Sequence, residues 1–129
     1  MPKPSLKQNL YCYVDETGQL FYSMYPDTRA YVDLTILSTA KAIRTHAPDL
    51  YTATILVDGL QRTEQRRFAT GLRQLRVKVR KVRGLNDRSD VFIRLADALV
   101  GFVRDSQAGD RRLTELYTQA IKNRRVFEV

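Results

Sequence analysis

The sequence has one cysteine, one histidine and no apolar run approaching the ~20 residues of a membrane span. Cys12 stands alone, which excludes an internal disulfide and a cysteine-based zinc site. None is needed, because a compact chain of 129 residues buries roughly 65–70% of its unfolded surface. His46 follows an expected helix end and reads as structural rather than as a general base or ligand. The glycine patterns of nucleotide-binding loops are missing, and Thr17-Gly18 reads as a turn. Repeats, low-complexity tracts and linkers are absent, so one domain is expected. With no cleavable apolar leader and no disulfide, the reading is a cytosolic chain with no membrane partner.

Acidic residues are the scarcer charge. Asp plus Glu number 14 against 22 Lys plus Arg, a formal net charge of +8. Arginine supplies 16 of the 22, and its planar fork matches phosphate oxygens in pairs. That surplus points to a polyanionic partner, nucleic acid above all; the plainer reading is solubility.

Residues 1–9 hold two prolines and two lysines and read as a basic N-terminal arm, leaving 10–129 as the domain. Leu10–Val14 and Leu20–Tyr25 are β-prone and can form a hairpin about Thr17-Gly18. Asp27 or Thr28 can cap a helix over Arg29–Thr45, where Val32, Ile36, Ala40 and Ile43 recur at helical spacing and Leu37 widens the stripe. Thr52–Val57 is continuously apolar or β-branched, as in a strand covered on both faces. Thr63 is placed to cap a helix with Phe68, Leu72 and Leu75 inside and Arg62, Arg66 and Arg73 on another face. Arg76–Val82 alternates cations with valines, as in an edge strand whose charge blocks aggregation. Two helices follow, from about Ser89 to Asp105 and through Leu113–Ile121, with Arg124-Arg125 expected in the last turn. The order is β-β-α-β-α-β-α-α, an α/β sheet covered by helices. The tyrosines and Cys12 of the N-terminal third read as filling for a small sheet.

Two strands end in acid, Val14-Asp15-Glu16 and Val57-Asp58-Gly59. In open α/β sheets, sites lie beyond the carboxyl ends of strands. If the two strands are parallel neighbours, Asp15 and Asp58 emerge side by side, and a divalent cation relieves their repulsion. In the helix from Ser89, two apolar stripes leave a narrow polar line of Asp90, Arg94, Asp97, Gly101 and Arg104. A helix apolar nearly all round is expected to be buried, with that line in a cleft or beneath a partner. Asp97 would there be costly to leave unpaired; its structural reading is an ion pair with Arg94. Asp90 is explained equally by the helix dipole. Carboxylates suit Mg²⁺ or Mn²⁺, and three of them in a basic protein fit metal-dependent phosphodiester chemistry.

Tyr13-Val-Asp-Glu-Thr-Gly18, Ile55-Leu-Val-Asp-Gly59, Ser89-Asp90 and Arg94-Leu-Ala-Asp-Ala-Leu-Val-Gly101 together resemble domain-of-unknown-function family three thousand eight hundred. Its members carry an Asp-Glu-Ser/Thr-Gly start and a late Leu-Ala-Asp helix motif, and are placed with ribonuclease-H-like folds. The resemblance implies a mixed sheet of about four strands. It implies Asp15 as the first-strand acid, Asp58 as the acid ending the strand after the first helix, and Asp97, with Asp90 beside it, as the late-helix acid. Asp33 is the candidate first-helix acid, and Glu16 belongs to the opening motif. Such a sheet normally has two more strands before the first helix. Here only Gln19–Pro26 is available, which leaves an edge that a second copy can cover in a homodimer.

Two readings follow. One is a Mg²⁺- or Mn²⁺-dependent nuclease or related phosphoryl-transfer enzyme, with Asp15, Asp58 and Asp97 as ligands, Asp90 nearby, and Arg62, Arg66, Arg73 and Arg94 on the nucleic acid. The other is a non-catalytic nucleic-acid-binding or assembly module on the same scaffold.

Overall fold

The structure is a computed structural model that describes residues 6–15, 28–85 and 90–128, with side chains from Val32 onward in the second stretch. Three parallel strands form the described sheet in the order β1-β2-β3, namely β1 (Gln8–Val14), β2 (Tyr51–Asp58) and β3 (Val79–Leu85). Four helices join and cover them: α1 (Thr28–His46), α2 (Arg62–Gln74), α3 (Val91–Gln107) and α4 (Arg111–Lys122). The described strands number three and are all parallel; the expected hairpin and its strand Leu20–Tyr25, which would be the fourth, lie outside the described residues. Gln8 and Asn9, read as part of the arm, pair with Tyr51 and Thr52 and so begin the sheet. Among the described residues no helix is long and apolar enough to cross a membrane.

When strand order advances in one direction, right-handed crossovers carry both connecting helices to the same face. The helical spacing of Val32, Ile36, Ala40 and Ile43 then seals against Phe68 and Leu72 from α2 and against Tyr51, Ala53, Ile55 and Val57 from β2; all are buried. Gly71 permits this approach of α1 and α2, since a Cβ there would sit 3.0 Å from the Ile36 side chain. Arg67 closes the outside of the pair through a 2.8 Å ion pair to Asp33.

The alternate residues of β2, Thr52, Thr54, Leu56 and Asp58, face the other way and are half-buried. Here α3 lies against β1 and β2, with Phe92 on Tyr13 at 5.1 Å between ring centroids. Ile93 is its one fully buried apolar side chain. This corrects the expectation of a buried α3, because Val91, Phe92, Leu95 and Leu99 are exposed.

Caps also differ from expectation. Gln61, not Thr63, precedes α2, and its side chain makes no capping bond. Asp90 caps α3, accepting hydrogen bonds from the Phe92 and Ile93 backbone amides at 2.8 and 3.1 Å. Asp110 caps α4 through the Leu113 amide. The helix α4 ends at Lys122, so Arg124 and Arg125 follow it rather than complete it.

β3 explains a pattern that strict alternation cannot. Val79 and Val82 both pack toward the core, yet they are separated by two cations, Arg80 and Lys81. A bulge against Ala53/Thr54 takes up the extra residue, so Ala53 pairs with Val79 and Thr54 with Lys81. Without it, period-two alternation would turn Lys81 inward.

Candidate nucleic-acid interface and strand-end carboxylates

The last registered pair between β1 and β2 is Val14↔Val57, and the next residue on each strand is an aspartate. Asp15 and Asp58 therefore leave adjacent parallel strands at their carboxyl ends, as the sequence predicted. Alternation puts both on the α3 side of the sheet, with Tyr13 and Leu56. Each is half-buried, and the Asp15 Oδ2 atom is fully buried. Gly59 turns the chain immediately afterward with φ of +71°, a conformation that costs glycine little. Gly84 is also dictated locally, since a Cβ there would overlap the Leu60 carbonyl.

Among the described residues the other candidate acids do not join this pair. Asp97 is exposed on the polar side of α3 and has no ion pair with Arg94. Asp90 is committed to its capping bonds. Asp33 is ion-paired with Arg67 on α1, and Glu16 lies outside the described residues. Among the described residues no group of three His, Cys, Asp or Glu is placed to hold a metal ion. His46 packs its ring on Phe127 at 4.9 Å, which gives it a structural place. Partial burial, then the charge of Asp90, holds the Tyr13 hydroxyl above its usual titration range.

The cations are arranged differently. Arg62, Arg66 and Arg73 are exposed along α2, and Arg94 is exposed on α3. An open groove of about 650 Å³ between α1 and α2 has Arg66, Thr70 and Gln74 on its wall. Sequence reading missed the larger part of this surface. Residues 65–85 hold eight Lys and Arg and no Asp or Glu, so they account for the entire +8. The other 108 residues hold 14 of each sign and cancel. Arg76, Lys78, Arg80, Lys81 and Arg83 extend the α2 cations onto β3, and all five are exposed. Arg73 ties the two elements together by donating to the Val79 carbonyl at 3.3 Å. Among the described residues Arg67 alone of the eight makes an ion pair. The signal available in the sequence was the acid-free run, not the helical spacing of arginines.

No protein family, curated protein or solved structure matches the chain.

Proposed function

We propose that this chain is a nucleic-acid-binding α/β domain whose docking surface is the α2–β3 cationic segment. The supporting observation is the location of the whole net charge in residues 65–85, exposed and, Arg67 aside, without carboxylate partners among the described residues. A charge surplus serving solubility would be spread over the surface, with both signs interspersed. A band of guanidinium and ammonium groups instead replaces condensed counterions on a phosphate backbone. Among the described residues β3 is an edge strand, which suits an extended polyanion, because Arg80, Lys81 and Arg83 stand exposed along it.

The test is binding of labelled single-stranded, duplex and hybrid oligonucleotides across a salt series. Log K is expected to fall linearly with log salt, by about 0.7–0.9 per phosphate neutralised. Arg80→Ala/Lys81→Ala/Arg83→Ala is expected to flatten that slope by about two to three, and Arg111→Ala/Arg112→Ala to leave it unchanged. Equal slopes for the two variants would end this assignment.

A second reading rests on Asp15 and Asp58 at adjacent strand ends. In a ribonuclease-H-like nuclease these would be two of the acids around Mg²⁺ or Mn²⁺. The described residues supply this pair without the third member, Asp97, and so do not by themselves fit such a centre. Metal-dependent cleavage that is lost in both Asp58→Asn and Asp97→Asn would favour this reading over the first.

A further inference from the structure

We infer that α3 pairs antiparallel with the α3 of a second copy of this chain, through Phe92, Leu95, Leu99 and Phe102. Isolated exposed leucines are ordinary on a monomer, whereas a continuous apolar stripe is not. Phe92, Leu95 and Leu99 are 57%, 54% and 47% exposed and lie along one side of α3, with Phe102 half-buried at its end.

The stripe reads the same in both directions, Phe-Leu-Leu-Phe at spacings of three, four and three. A twofold interface requires such a surface, because each copy presents one patch to itself. With the twofold axis level with Asp97, Leu95 meets the partner's Leu99 and Phe92 meets the partner's Phe102. Ala96 and Ala98 flank the stripe and allow close approach of the backbones. At 100° per residue Asp97 projects from the opposite side of the helix, so the axis brings no like charges together.

Both ends of the stripe are braced. Phe92 rests on Tyr13, and Phe102 rests on Tyr117 at 6.2 Å between ring centroids. Charge selects the same occupant. Helix α3 carries two arginines and two aspartates, while the cationic segment is confined to 65–85 on α2 and β3. Self-association along α3 thus meets no net repulsion from the helix itself, and the stripe offers no net charge to select a partner of opposite sign.

Sedimentation velocity of the full chain from micromolar to submillimolar concentration should show a monomer–dimer equilibrium. Leu95→Glu and Leu99→Glu should each weaken it by roughly 30-fold or more, with far-UV circular dichroism unchanged. Direction is read by disulfide cross-linking. Phe92→Cys copies mixed with Phe102→Cys copies should link to each other. Phe92→Cys copies alone should not, because their new thiols lie about 15 Å apart along the paired axes. Cys12, pushed by burial up to about 11, stays protonated and out of the exchange.

Three results would overturn the inference. The first is a monomer at every concentration, whether the stripe is open or shielded by the chain's own residues. The second is a dimer indifferent to Leu95→Glu, and the third is linkage of Phe92→Cys copies to one another.

Discussion

The two faces of the sheet differ in how completely the described residues cover them. On one, α1 and α2 bury Ile55, Phe68 and Leu72 to 2% exposure or less. On the other, α3 buries Ile93 and leaves its own Phe92, Leu95 and Leu99 about half open. The first face has the dense packing of an interior, where each lost methylene leaves a void. The second has apolar side chains on α3 that the described residues leave about half open. Stability therefore resides on the α1/α2 side, and recognition has room on the α3 side and along the β3 edge.

The sharpest way to break this contrast is a pair of truncations compared by urea unfolding. Phe68→Ala should cost about 3–5 kcal/mol. Leu99→Ala, at concentrations where the chain is monomeric, should cost no more than about 1 kcal/mol, because half its side chain is already in water. Equal losses would mean that α3 belongs to the same core.

A smaller effect comes from alkaline pH. Cys12 packs toward the sealed face, and burial raises its thiol from 9.0 to about 11. Folding favours the protonated form, so this contribution is complete below pH 9 and is lost as pH rises through 11. Its full size is about 2–3 kcal/mol. Unfolding free energy should decline over that interval, and the Cys12→Ala chain should be flatter between pH 9 and 10.

Arg67→Ala should cost only about 0.5–1 kcal/mol, since the Asp33 pair it breaks is solvent-exposed at 32% and 57%. It should leave the salt slope of oligonucleotide binding nearly untouched, because Arg67 is the ion-paired member of its segment. The smallest change is expected at Arg76, which holds a left-handed φ of 66° between α2 and β3. Arg76→Gly relieves that strain at the expense of chain entropy, for a net gain below about 1 kcal/mol. The same variant should weaken polyanion binding, so stability and binding would move in opposite directions.

The sealed face was legible in the sequence because its signals were redundant. The spacing of Val32, Ile36, Ala40 and Ile43 and that of Phe68 and Leu72 each named the buried side of its helix, and the structure buries all six, while Leu75 is half-buried and Leu37, expected to widen the first stripe, is exposed. Asp15 and Asp58 were also legible as neighbours, since parallel pairing of two acid-ended strands requires it. α3 was misread for a definite reason. Apolar residues on two sides of a helix announce that both sides avoid water, not that this chain covers both. Asp97, expected in a cleft or beneath a partner, lies in no cleft of the described residues and is exposed. The third strand was read only as alternation, and alternation has no symbol for an inserted residue.

That inserted residue gives β3 one cation more than its pairing with β2 requires. A mutation deleting Arg80 would remove one positive charge on paper. In the folded chain it would remove the bulge itself, leaving Val79, Lys81 and Val82 in plain alternation and every later pairing with β2 in place. Evolution could exchange arginine for lysine freely along this edge and shorten it by one residue at the bulge, but not by two, which would set Val79 beside Val82 and break the alternation.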